Sequence, residues 1–188
     1  MLLCGTGLAI RWRFDQVKLE DYIRNIPDFP RPGIQFKDIT PLLKSPDAFQ
    51  QAIDRFAQYC TAIAIDAIVG IEARGFLIAA PLAYRLRKPL IPVRKQGKLP
   101  FRTTSITYAL EYGNDTVEIH QDAVAKGQHV LIVDDLLATG GTMAATAKLV
   151  EATGAHVAAL VVLIELTDLK GRAALKGYDL HSLIQLSD

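Results

Sequence analysis

Apolar positions along the chain follow two rhythms. Runs of strand length at 67–71, 90–93, 129–133 and 157–166 alternate with longer stretches of helical spacing. That alternation specifies an α/β fold, a central mostly parallel sheet flanked by helices. The run Val130-Leu131-Ile132-Val133 has no polar alternation and predicts a mid-sheet strand covered on both faces. Ser45 and Pro46 supply a helix N-cap and a first-turn proline, after which Phe49, Ile53, Phe56 and Cys60 recur at helical spacing. A second helix is predicted over 75–86, where Pro81 should bend it or start its second half. A third spans 142–153, with Met143, Thr146, Ala147 and Val150 on one side and Gly154 as its stop.

Two segments interrupt this order. Residues 28–41 carry Pro30, Pro32 and Pro41 and read as an irregular excursion with no sheet strand. Residues 106–120 read as an exposed hairpin: a strand to Leu110, a turn at Gly113-Asn114-Asp115, and a strand from Thr116 to His120.

Composition narrows the function. The 188 residues, half of them apolar, suit one well-filled core and a single domain, 1–188. A formal net charge of +1 with no arginine-rich block argues against a nucleic-acid partner. The longest purely apolar run, 157–164, falls far short of the roughly 20 residues of a membrane span. The start is apolar, but Arg11 and Arg13 follow the apolar stretch where a signal peptide would carry them ahead of it. Cys4, Cys60 and four scattered histidines form neither a staple nor a ligand cluster, which fits a cytoplasmic setting and no protein-only metal site.

The chemistry concentrates at 130–142, where a buried strand ends in Asp134 and Asp135 and a loop of small residues, Ala138, Thr139, Gly140, Gly141 and Thr142, opens a helix. The glycines let the backbone approach a ligand closely, and the threonines add hydroxyls. Amide N–H groups at a helix start converge on one anion, where the helix dipole also favours negative charge. This is a phosphate cradle. Carboxylates beside it would repel a phosphate unless they face something neutral, cationic or hydroxyl-bearing; a ribose satisfies this, with Mg²⁺ offsetting the remaining charge. The plainer alternative is a pair of aspartates that caps the next helix. No Gly-x-x-x-x-Gly-Lys-Ser/Thr occurs, and Ile10 stands where Gly5-x-Gly7 would need its third glycine, so kinase and dinucleotide readings lose support.

The stretch resembles the phosphoribosyl pyrophosphate signature of the type I phosphoribosyltransferases. Residues 28–41, 70–76, 94–100 and Leu110-Glu111-Tyr112-Gly113 resemble, in order, segments of the adenine phosphoribosyltransferases, from about Asp15 to the C-terminus. The resemblance implies the type I fold with an N-terminal hood at about 28–41 and a flexible hairpin lid at about 102–120. It implies that 138–142 hold the 5′-phosphate, that Asp134 and Asp135 face the ribose hydroxyls, and that Glu72, Ala73 and Arg74 sit at the pyrophosphate. Arg94, Lys95 and Lys98 would help neutralise that pyrophosphate. Phe29, Ile34 and Phe36 would contact adenine, the Gln35 backbone would pair with the base edge, and Tyr112 would adjoin the substrate. Glu111 matches the family's acid/base position, in the forward or the reverse direction. Lys37 stands where the family commonly has arginine, and an ammonium cannot reproduce a planar two-donor contact to a purine.

The implied substrates are adenine and phosphoribosyl pyrophosphate, the products AMP and pyrophosphate, the cofactor Mg²⁺ held mainly by substrate, and the assembly a homodimer. One rival within this chemistry is transfer to another purine base, against which the hood and Leu-Glu-Tyr-Gly argue. Another is a non-catalytic regulator that binds DNA through an added domain, for which there is no room before Asp15.

Overall fold

The two rhythms are realised in a computed structural model that describes residues 17–109 and 113–187. A short antiparallel ribbon, β1 (Arg24–Ile26) and β2 (Phe36–Asp38), precedes helices α1 (Thr40–Lys44) and α2 (Pro46–Cys60). The main body then runs β3 (Ala67–Ile71), α3 (Gly75–Leu86), β4 (Leu90–Lys95), β5 (Thr103–Ala109), β6 (Asn114–His120), β7 (His129–Leu137), α4 (Gly141–Ala152), β8 (His156–Leu166) and β9 (Leu180–Leu186). These strands form a seven-stranded sheet in the order β5-β6-β4-β3-β7-β8-β9. The five from β4 to β9 are parallel, and β6 and β5 add antiparallel at one edge.

The central strands are buried on both faces, as their unbroken apolar runs require. Ile68, Leu131 and Val133 pack into a cluster with α2 and α3, while Val69, Val130 and Ile132 pack into the opposite cluster with α4. This is the period-two alternation of a strand between two helix layers. It inverts across Asp134 and Asp135, beyond which Leu136 adjoins the first cluster and Leu137 the second. The chain moves from β3 outward to β4 on one side and returns to β7 on the other. The order of the sheet therefore reverses between β3 and β7, and the crevice outside their carboxyl ends is where open α/β sheets bind ligands.

Several elements differ from expectation for identifiable reasons. The strand predicted at 129–133 continues through both aspartates to Leu137. The proline-rich segment does contain a strand: Pro30 and Pro32 fall in the turn, where Gly33 (φ 85°) donates its N–H to Asp28 Oδ1 at 2.7 Å, leaving Phe36-Lys37-Asp38 free to pair. The hairpin at 106–120 is no exposed appendage. Its first strand begins at Thr103, its second pairs with β4, and Val117 and Ile119 are buried, the inward positions of a half-covered strand. Strand β9, of mixed pattern at the sheet edge, gives no clear signal in sequence. Helix α3 keeps its expected bounds despite Pro81, which shares its stripe with exposed Leu77 and Tyr84, where water can satisfy a freed carbonyl. Ser45 caps α2 as predicted, accepting from Ala48 N at 3.3 Å.

Candidate active site

Strand β7 delivers the chain to a three-residue loop, 138–140, directly ahead of α4. Gly140 is the N-cap, in the left-handed region at φ 84°, and no side chain among the described residues caps the helix. A Cβ there would lie 2.6 Å from Gly171 O, so glycine is required for both conformation and space. The first N–H groups of α4, at Gly141, Thr142 and Met143, precede any intrahelical acceptor and sit at the positive end of the helix dipole. Thr139 is exposed and Ala138 partly so. Thr142 Oγ1 shares a hydrogen bond with Tyr108 Oη of β5 at 2.9 Å, which ties the hairpin to the loop.

The two aspartates stand at the base of this loop. Asp134 Oδ1 accepts from Asp135 N at 2.9 Å and closes against Gly75, where a Cβ would lie 2.7 Å from the same oxygen. Asp135 is buried with Oδ2 2.8 Å from Arg74 Nε, yet that N–H is not aimed at it, and the oxygen takes no hydrogen bond. Neither carboxylate caps α4. Burial pushes both carboxyls above their ordinary range; the Asp135 charge pushes Asp134 further, while Arg74 opposes the rise at both. Arg74 itself is held by three partners, since its Nη1 donates to Lys37 O at 3.2 Å and its guanidinium lies 4.7 Å over the Phe36 ring.

Across the crevice, the β3–α3 turn carries Glu72, with its buried carboxylate, and exposed Ala73. Glu72 accepts from Arg94 Nε at 2.7 Å and from Lys98 Nζ. Burial works against its ionisation, but the hydrogen bonds from Lys98 and Arg94 outweigh it and hold the carboxyl below its usual range. Lys95 pairs with Asp115 and donates to Tyr108 Oη at 3.1 Å. The basic run at 94–98, expected to face an anion, is thus engaged with carboxylates of the protein.

In the ribbon, Phe29 and Ile34 are about half exposed, Gln35 is exposed, and Phe29 meets Phe36 edge-on at 5.1 Å. Lys37 is buried in β2, and its carbonyl serves Arg74, so the ammonium is no exposed point charge for a purine. Glu111 and Tyr112 lie outside the described residues. Three contributors escaped the sequence reading: Tyr108, Asp115 and Gly171. Tyr108 follows Ile106 at strand spacing, a signal that could have found it, whereas Asp115 and Gly171 gain their roles only from distant partners. A groove of about 930 Å³ between α2 and α3, with Phe49, Ile53, Pro81 and Tyr84 in its walls, contains none of these residues.

The phosphoribosyl transferase domain family matches residues 39–183. An adenine phosphoribosyltransferase of Roseiflexus sp. (strain RS-1) is 57% identical over 167 residues, 89% of this chain and 97% of that protein. The crystal structure of adenine phosphoribosyltransferase from Thermoanaerobacter pseudethanolicus superposes with a TM-score of 0.88 at 56% identity, covering 89% of this chain and 98% of that one. The Saccharomyces cerevisiae enzyme, crystallised with an imino-altritol bisphosphate and adenine, gives a TM-score of 0.84 at 41% identity, covering 88% and 96%.

Proposed function

The chain belongs to the adenine phosphoribosyltransferases, and on that premise we propose how its residues transfer the phosphoribosyl group of phosphoribosyl pyrophosphate to adenine, giving AMP and pyrophosphate. The fold is that of the type I phosphoribosyltransferases, and the activity is a pentosyl transfer of purine salvage. One observation carries the assignment of roles: the uncapped start of α4 and the Asp134–Asp135 pair adjoin each other at the point where the sheet order reverses, with the Glu72–Arg74 turn facing them. A ligand with a phosphate at one end, hydroxyls in the middle and a second anion at the other matches that sequence of donors and acceptors.

In this reading Gly140, Gly141 and Thr142, with Ala138 and Thr139, receive the 5′-phosphate on backbone N–H groups and hydroxyls. Asp134 and Asp135 accept from the ribose hydroxyls. Arg74, Arg94, Lys95 and Lys98 answer the charge that grows on departing pyrophosphate, which concentrates stabilisation in the oxocarbenium-like transition state. The two aspartates also offer hard oxygens suited to Mg²⁺, with most of its remaining ligands coming from the substrate; such an ion supplies charge neutralisation at pyrophosphate. Phe29, Ile34 and Phe36 flank the base, and the Gln35 backbone reads its edge. Glu111, beside Tyr112, takes the N9 proton as the glycosidic bond forms or protonates N7 in reverse. Replacing Glu111 by Leu is expected to lower turnover by roughly 10² to 10⁴ fold with AMP binding retained; turnover within a few fold of the parent removes it from the mechanism. For the assembly we propose a homodimer, which sedimentation would test. No helix among the described residues is long and apolar enough to cross a membrane, in keeping with a proposed cytoplasmic enzyme.

The direct experiment supplies phosphoribosyl pyrophosphate, Mg²⁺ and each of adenine, guanine, hypoxanthine and xanthine, and identifies the nucleotide. AMP should dominate. Preference for any other base overturns the reading of the hood.

A further inference from the structure

Behind the phosphate loop lies a second layer that the proposed chemistry does not use. After β8 the chain makes two short 3₁₀ turns, and the second, Gly171–Leu175, begins against the back of the loop. A Cβ on Gly171 would overlap Ala138 O and stand 3.0 Å from Leu137 Cγ, while a Cβ on Gly140 would lie 2.6 Å from Gly171 O. Gly140 leaves room for the Gly171 carbonyl, and Gly171 leaves room for the Ala138 carbonyl. The loop is therefore backed by main chain at van der Waals contact, and any shift of the Gly171 turn moves Ala138 and Gly140 with it.

The turn is fixed by the next residue. Arg172 donates from Nε and Nη2 to the two oxygens of Glu165, at 2.6 and 2.7 Å, and its Nη1 donates to Leu180 O at 3.1 Å. Glu165 is buried at the end of β8, and Ser182 Oγ and Gln185 Nε2 of β9 also donate to its Oε2, at 2.7 and 3.4 Å. Every carboxylate oxygen is thus used, and the planar fork of arginine allows only one orientation. With the Arg172 side chain about half exposed, an ion pair of this kind adds little net stability. What it supplies is a fixed position for the backbone on either side of Arg172.

We propose that Glu165 and Arg172 are positioning residues for the 5′-phosphate: they seat the Gly171 turn against residues 138–140 and so hold the N–H groups of the loop at phosphate spacing. This rests on the functional reading above. The pair lies on the side of the loop away from the Glu72 turn, so its influence should fall on one end of the substrate only.

The test uses Arg172→Lys, which keeps the charge but loses the fork, and measures dissociation constants for ribose 5-phosphate and for pyrophosphate separately, alongside steady-state kinetics. Ribose 5-phosphate binding and the KM for phosphoribosyl pyrophosphate should weaken by roughly 10 to 10² fold, the cost of an ångström-scale misplacement. Pyrophosphate binding and the KM for adenine should stay within about twofold of the parent. Gly171→Ala, which displaces the loop with the ion pair intact, should give the same split and carries the test if the lysine variant does not fold. Unchanged ribose 5-phosphate affinity in a folded variant, or equal loss of both ligands, overturns the proposal. A parent protein that forms no AMP from adenine instead brings down the functional reading on which it stands.

Discussion

The loop at 138–142 and the basic wall around Glu72 offer anions very different surfaces. The loop's donors are backbone N–H groups at a helix start, and no side chain among the described residues caps them. The wall's cations ride on long flexible stems, and Arg94, Lys98 and Lys95 have each found a carboxylate, on Glu72 or Asp115. Backbone donors are held in place by the fold and stay available. Side-chain cations pair with whatever carboxylate is in reach, so binding pyrophosphate there means exchanging one anion for another. One end of the proposed substrate would meet a ready site, the other a site that must release internal partners.

The comparison breaks most sharply at Gly140. Valine there would need a left-handed backbone and would collide with Gly171 O. Binding of both AMP and phosphoribosyl pyrophosphate should be abolished by calorimetry; retained AMP affinity would mean that the loop is no phosphate cradle.

A smaller effect is expected from Asp134→Asn, and it should have two opposite signs. Loss of a hydroxyl-facing carboxylate should raise the KM for phosphoribosyl pyrophosphate. Stability should move the other way. The folded state raises the carboxyl's pKa above its model-peptide value of 3.8, so it binds the proton more tightly than the unfolded chain does. The relative stabilisation is complete below that value and is lost as pH rises through the folded pKa, leaving a penalty at neutral pH. Asn removes the penalty, so thermal melts at pH 7 should show a higher Tm, by about 2–4 °C for each kcal/mol regained. The gap should close as pH falls. Melts that coincide at every pH would show that Asp134 carries no such burden.

The smallest expected change sharpens the comparison. Glu72→Gln releases Arg94 and Lys98 from a charged competitor. Both cations are partly exposed, so the exchange is worth no more than about 1 kcal/mol, and pyrophosphate should bind roughly two- to fivefold more tightly. Weaker binding would show that Glu72 orders the cations for the ligand instead of occupying them.

The same contrast explains what the sequence discloses. The loop was legible because its parts are contiguous: a doubly buried strand, two carboxylates, small residues and a helix start lie within 130–142. The wall's pairing was not, because it depends on sheet register. Parallel pairing of Ile71 with Val93 makes Glu72 a neighbour of Arg94, which is 22 residues away in the chain. The Gly140–Gly171 contact is hidden for the same reason. Among the elements, the central strands and three helices were readable from period together with local cap and stop residues such as Ser45 and Gly154, while β2 was masked by prolines that belong to the adjoining turn. The edge position of β5 and β6 emerged only from pairing with β4.

Backbone amide chemical shifts, followed on titration with each end of the substrate alone, test the account most directly. Ribose 5-phosphate should move the amides of Gly140, Gly141 and Thr142 most, and pyrophosphate those of Glu72, Ala73 and Arg74, with little overlap between the two sets. Shifts from both ligands in the same set, or in neither, would contradict a site with separate phosphate and pyrophosphate ends at the carboxyl edges of β7 and β3.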